Sequence, residues 1–289
     1  MKKFAFFVVL FASVFSISCS EDNGSNPPQT VDDTDYFNFV FDGVDVPIES
    51  WTAVRSEDNF EVVGEAEDGR SMFFSFNAMG NLARATATPP MSPDFNWLHS
   101  YYHYTANYFD FNIVAIDETN KIIKVTYSGN LYENEFDLNS QSTPVEGSFN
   151  VHYTEIPPQI PGLGLSSVIN GTEWHSVKSG TTISNGTDYT LEFNSDDAYL
   201  ISLHFAEGVA AGTYSFDPSS ETRVMLSRFD IALGTYIEYF STGTFTISDI
   251  ASEGPMSMMS GTFSFTAVHP VTSAEVEVTN GTFKTVFSN

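Results

Sequence analysis

The residues best placed to do chemistry lie between positions 97 and 111, which read WLHSYYHYTANYFDF. Trp97, Tyr101, Tyr102, Tyr104 and Tyr108 stand there beside His99, His103 and Asn107. Planar rings flanked by hydroxyl, imidazole and amide groups suit a sugar, because the apolar ring faces stack on it while the polar edges take hydrogen bonds. Trp97, Tyr101, Tyr102, His103, Tyr104 and Tyr108 are therefore the candidate ligand platform. The competing expectation is that the same rings cover the open end of a β-fold as core. Alternation within Tyr101 to Tyr104 would turn at least one tyrosine outward on a strand.

Other constellations carry less. His99 and His103 have the i, i+4 spacing of two zinc ligands on a helix, but Ser100 stands where the HExxH motif needs its glutamate base, and no metal site is expected. Asp196-Asp197 and Asp32-Asp33 lack the order of a calcium-binding loop and read as a solvated turn and a solvated tether. No GxSxG elbow precedes a plausible helix. The expectation is a chain that is not an enzyme, with no catalytic residues and no cofactor.

The elements that must position these residues are strands. Met72-Phe-Phe-Ser-Phe, Phe109-Asp-Phe-Asn-Ile-Val, Ile122-Ile-Lys-Val-Thr-Tyr, Tyr189-Thr-Leu-Glu-Phe, Leu200-Ile-Ser-Leu-His-Phe, Phe245-Thr-Ile, Phe263-Ser-Phe-Thr-Ala-Val and Val276-Glu-Val-Thr have the period of two that gives a strand one buried face. Asn170-Gly171, Asn185-Gly186 and Asn280-Gly281 suit hairpin turns, since both residue types tolerate positive φ. Gly-Thr followed by an aromatic at Gly212, Gly234, Gly243, Gly261 and Gly281 reads as strands restarting after turns. One stretch, Asp94 to Asn107, could form a short helix. The fold class is all-β: two tandem antiparallel β-sandwich (or partly open barrel) domains after a signal peptide and a disordered tether.

Residues 1–18 begin with Lys2 and Lys3 and continue into the apolar run Phe4 to Phe15, the length of a secretory signal and too short for a permanent span. Residues 19–35 hold Cys19 and a flexible acidic tether rich in Asp, Asn, Ser and Pro, whose residues 20–35 span at most about 50 Å when fully extended. Domain 1 then occupies 36–155, a Pro-rich linker 156–164 and domain 2 165–289. The two blocks match each other: Gly43 aligns with Gly171, Ser128-Gly129 with Ser260-Gly261, and Gly147 with Gly281, in the same order.

Cys19 is the only cysteine, so the exported domains have no disulfides and depend on burial, for which 27 phenylalanines supply the surface. From Cys19 onward, the 11 basic residues less Lys2 and Lys3 leave 9 against 37 acids, a net charge of −28. Nucleic acid is excluded as a partner, and anionic membrane surfaces are disfavoured, because both would be repelled.

The stretch Ser16-Ile-Ser-Cys19 resembles the lipobox of bacterial lipoproteins, although Ser16 takes the place usually held by an aliphatic residue. The resemblance implies lipidation at Cys19 after cleavage, and attachment to a membrane through that N-terminal lipid. Ile169-Asn-Gly-Thr-Glu-Trp174, Ser260-Gly-Thr-Phe-Ser-Phe265 and Val278-Thr-Asn-Gly-Thr-Phe283 resemble Bacteroidota cell-envelope lipoproteins with tandem β-sandwich domains of unknown function. Glu21 and Asp22 resemble the signal that sends such lipoproteins to the outer face of the outer membrane; the periplasmic face is the alternative. The implied function is a non-enzymatic, surface-exposed binding or structural module with a protein partner. The alternative is a glycan-binding accessory lipoprotein of a polysaccharide-capture system.

Overall fold

The computed structural model describes residues 34–89, 97–178, 182–184, 188–253 and 256–288. The signal segment 1–18, Cys19, Asp32-Asp33 and the rest of the tether up to residue 33, together with the Asn185-Gly186 turn, lie outside the described residues. Between 36 and 155 the chain forms β1 (Tyr36–Phe41), β2 (Val44–Ser56), β3 (Asn59–Ala66), β4 (Ser71–Asn77), β5 (Leu82–Thr88), β6 (Leu98–His99), β7 (Phe109–Asp117), β8 (Ile122–Tyr132), β9 (Ser142–His152) and β10 (Thr154–Glu155). Beyond the linker it forms β11 (Gly164–Ile169), β12 (Thr172–His175), β13 (Thr182–Ser184), β14 (Asp188–Asn194), β15 (Tyr199–Ala206), β16 (Gly212–Phe216), β17 (Arg223–Asp230), β18 (Thr235–Glu238), β19 (Phe240–Glu253), β20 (Met256–Val268) and β21 (Glu275–Ser288). These two groups are called lobe 1 and lobe 2.

In lobe 1 eight strands close on themselves in the order β1-β9-β8-β6-β5-β4-β3-β2, because β2 pairs back onto β1. The geometry of β2 makes this possible. Val44 to Pro47 pair with β1 and Ile48 to Ser56 with β3, and an irregularity at Glu49 bends the strand from one wall to the other. At the other side, among the described residues, the ring is closed by the two residues of β6, where His99 pairs with both Thr86 and Tyr132. Among the described residues of lobe 2 no strand pairs across in this way. Its strands divide into a sheet β12-β11-β21-β20-β19-β16 and a sheet β13-β14-β15-β17-β18, which pack face to face.

Phenylalanine fills both interiors. Phe39, Phe60, Phe74, Phe76 and Phe149 are buried in lobe 1, and Phe205, Phe245, Phe263, Phe265 and Phe283 in lobe 2. Each such ring, fully removed from water, contributes about 2–3 kcal/mol. The period of two produces this directly: β4 and β14 bury alternate side chains in an identical pattern and both end on a buried asparagine, Asn77 and Asn194. The segments that match in sequence take corresponding places. Asp42-Gly43 and Asn170-Gly171 both turn hairpins with positive φ, and Gly129 and Gly261 lie in β8 and β20, the strands before the last long strand of each lobe.

Two expectations from the sequence are corrected. Asp94 to Asn107 is not helical where it is described: it holds β6, a bend and a single 3-10 turn at Thr105–Asn107, because Leu98 and His99 gain strand partners from β5 and β8 that helix formation would forfeit. Asn280-Gly281 is not a hairpin turn but lies inside β21. Phe265 pairs with Val278 and Phe263 with Gly281, so Thr279 and Asn280 together oppose Ser264 in a bulge, and the left-handed Asn280 absorbs the extra residue. Gly243 and Gly261 likewise sit within strands β19 and β20 instead of starting them.

Candidate functional site

The aromatic stretch 97–108 leaves the barrel wall at β6 and runs along the side of lobe 1 that meets lobe 2. Tyr101 is buried, with ring centroids 5.1 Å from Tyr108, 6.3 Å from Tyr132 and 6.1 Å from Phe229 of β17. His103 stacks on the same Phe229 at 4.9 Å with an interplanar angle of 6°, and its carbonyl oxygen accepts the Tyr236 hydroxyl at 3.2 Å. Its Nδ1 is buried without a hydrogen-bond partner among the described residues. Burial, and secondarily the nearby Lys178 ammonium, hold the His103 pKa below the usual imidazole value. Tyr104 and Tyr108 are half-buried against this cluster.

Tyr102 is held from both sides. Its N–H donates to the Glu135 carbonyl at 2.9 Å, its carbonyl oxygen accepts Lys178 Nζ at 2.5 Å, and the ammonium lies 4.1 Å from its ring centroid. Desolvation pushes Lys178 down to about 8, against the opposing pull of Asp196 and Glu135. The folded state thus holds this proton less tightly than the unfolded chain. The resulting cost to stability is present at neutral pH and fades as pH rises from about 8 towards the ordinary value of 10.5.

Of the six platform residues, then, Tyr101 and His103 are packed into the contact between the lobes, and Tyr102, Tyr104 and Tyr108 border it. Trp97 is 51% exposed, and Phe136, also exposed at 55%, lies 5.0 Å from the Tyr102 ring. His99 and His103 serve separate purposes: His99 Nδ1 bonds Thr86 Oγ1 at 3.2 Å across β5 and β6, while His103 faces lobe 2.

Phe229, Tyr236 and Lys178, which meet this segment, were not singled out by the sequence, and Asp196, which was, has another role. Asp196 is 8% exposed rather than solvated. Its carboxylate accepts Asn81 Nδ2 at 2.9 Å and the Leu82 N–H at 3.1 Å, and its carbonyl accepts the Ala106 N–H at 2.9 Å. Asp197 is half-buried and accepts Trp174 Nε1 at 3.0 Å. The expectation of a solvated Asp-Asp turn is therefore overturned: the tight β14–β15 connection points one carboxylate into lobe 1 and the other back at β12. The linker is pinned as well, since the Gly162 N–H donates to the Glu57 carboxylate and Lys284 Nζ donates to the Pro161 carbonyl at 2.8 Å. Chemically the junction is a set of packed rings around polar groups that, His103 Nδ1 apart, are paired across it, an arrangement for holding two lobes in one geometry.

Comparison with known proteins bears on lobe 2 alone. Residues 164–287 match the family described as Domain of unknown function (DUF6252). No curated protein matches the chain, and no solved structure does. The matched span runs from the first residue of β11 almost to the end of β21, so it takes in both sheets of lobe 2, and with them Asp196, Phe229 and Tyr236 of the junction.

Proposed function

We propose that the protein is a lipid-anchored cell-envelope module without enzymatic activity, attached through Cys19 and displayed on the outer face of the outer membrane. Its folded region acts as one rigid body that binds a protein partner or spaces it from the membrane. The observation that carries this reading is the junction: the most chemically rich segment of lobe 1 is spent on fixing lobe 2, through Phe229, Asp196 and Lys178. Rigid lobes on an acidic tether suit display and spacing. The anchor is tested by Cys19→Ala, which should move the protein from the membrane fraction to the soluble fraction; continued tight association would remove the lipid-anchor reading. Dual acylation accounts for such retention, at about 0.8 kcal/mol per buried methylene. In the same cells, protease added outside should digest the wild-type protein, whereas protection would place it on the periplasmic face.

A second reading, a glycan-binding accessory protein, is favoured by the exposed Trp97 and by Phe136 beside Tyr102. On a glycan array it predicts binding by the full chain that falls at least tenfold in Tyr102→Ala; binding left unchanged by that substitution would refute the site.

A further inference from the structure

The Asn170-Gly171 hairpin that opens lobe 2 builds more than a turn. Asn170, Thr172, Glu173 and Trp174 line a pocket of about 260 Å³ together with Asp197 and Tyr199. One carboxylate oxygen of Asp197, Oδ1, accepts both the Trp174 Nε1–H at 3.0 Å and the Tyr199 N–H at 2.9 Å. The other oxygen has no hydrogen bond among the described residues. The lining residues include two acids, Asp197 and Glu173, and no lysine or arginine.

We propose that this pocket binds a primary ammonium group on a short apolar stem, with Asp197 as its counter-ion and Tyr199 as an aromatic wall, while Trp174, buried in the lobe 2 core, turns its Nε1–H edge to Asp197 and holds the carboxylate in place. A half-buried carboxylate with an uncommitted oxygen gains most from a cation that satisfies it, and ring faces attract the same cation. The net charge of −26 concentrates cations around the chain. At about 260 Å³ the cavity falls below the roughly 300–1,000 Å³ of ordinary small-molecule sites, so it suits a side-chain-sized group.

The electrostatic surroundings agree. Burial pushes Asp197 up to about 6, Asp196 adds to the rise, and the hydrogen bonds from Tyr199 and Trp174, with Arg228, oppose it. Arg228, on β17, lies 5.9 Å from the Tyr199 ring centroid and outside the lining, Tyr236 approaches from β18, and Glu173, exposed on β12, has its carboxylate 3.8 Å from His175 Nε2. An ammonium ion favours the ionised form, so binding strengthens as Asp197 deprotonates.

Two sources share this chemistry, a lysine side chain of a partner protein and a small amine such as a lipid headgroup. The test follows the Trp174 indole N–H by NMR in the full chain in detergent micelles, assigned with Trp174→Phe. The probes are Nα-acetyl-lysine methylamide, ethanolamine and the neutral Nα-acetyl-norleucine methylamide. The lysine probe should shift the resonance saturably and the neutral probe should not. Apparent affinity should fall about tenfold from pH 7 to pH 5 as Asp197 with a pKa of about 6 is protonated. Asp197→Asn, which keeps an acceptor for the indole, should weaken binding at least tenfold. A response to lysine alone supports a protein partner, and an equal response to ethanolamine supports a small amine. Equal binding of the neutral probe, no saturable shift, or binding indifferent to Asp197→Asn would overturn the proposal. It rests on the folded region being a binding module, yet the two fail separately, because fractionation of Cys19→Ala does not depend on this pocket.

Discussion

Asp196→Ala should destabilise the folded region by about 3 kcal/mol and split its denaturant unfolding into two transitions. The substitution removes the acceptor for Asn81 Nδ2 and for the Leu82 N–H, two groups of lobe 1, and leaves a buried backbone donor unpaired. Each such loss costs about 1–3 kcal/mol, since the orphaned group keeps its desolvation penalty. The location makes the effect larger than the bond count suggests. Both contacts cross between the lobes, joining residues 114 and 115 positions apart, so together with the ring packing around Phe229 they couple two distinct cores. Losing that coupling allows one lobe to unfold before the other. Asp196→Asn, retaining one acceptor oxygen, should cost about 1 kcal/mol and keep a single transition. Urea unfolding followed by far-UV circular dichroism and by tryptophan fluorescence would read both quantities. A single coincident transition in Asp196→Ala, with less than about 1 kcal/mol lost, would show that ring packing around Phe229 suffices to hold the lobes.

The second large effect is expected at a glycine. In Gly261→Ala the new methyl group would fall on the carbonyl oxygen of Thr246 in β19 and come within 2.8 Å of the Phe283 ring in β21. The first obstacle is backbone, which no rotamer change relieves. β20 would have to move away from one of its two neighbours in the middle of the larger sheet of lobe 2, breaking ladder hydrogen bonds as it went. Overpacking ordinarily costs about 1–3 kcal/mol, and a clash with a neighbouring strand should exceed the top of that range. The expected result is loss of soluble protein, or a melting temperature lowered by more than about 8 °C by circular dichroism. The comparison is Gly171→Ala, where nothing lies within 4 Å but φ is +82°. Only the left-handed backbone resists that methyl, at about 1 kcal/mol. Equal effects at the two positions would refute the close-approach account of Gly261.

Those two glycines also show what could be read in advance. Both stand in look-alike Gly-Thr contexts, in Asn-Gly-Thr at 170 to 172 and Ser-Gly-Thr at 260 to 262. One turns a hairpin, and the other gives room inside a sheet to the ring of Phe283, a residue 22 positions later. Local sequence cannot separate these uses, because the clash that demands glycine comes from the neighbouring strands. The bulge at Asn280 is the same case: asparagine tolerates positive φ, and strand pairing decides whether that φ makes a turn or a bulge.

For the candidate site the division falls differently. The rings at 97–108 were legible as a cluster, since composition and spacing are local. Their use was not, because the partners that occupy them are remote: Tyr236 lies 133 residues from His103, and Lys178 lies 76 from Tyr102. Asp196 and Asp197 looked like a solvated pair because adjacent acids usually are, and only the docking of lobe 2 turns Asp196 towards Leu82.

By itself the sequence determined what short-range physics controls. Alternation with a period of two made the strands, Asn170-Gly171 turned a hairpin, and the phenylalanines on alternate positions supplied two cores. The tertiary structure alone decided that β2 would close lobe 1 into a ring while lobe 2 stayed two sheets, and that a stretch of exposed-looking rings would become the seam between them. The physical reason is range: backbone geometry and side-chain alternation act within a few residues, whereas burial at the seam depends on surfaces that exist only after both lobes have formed.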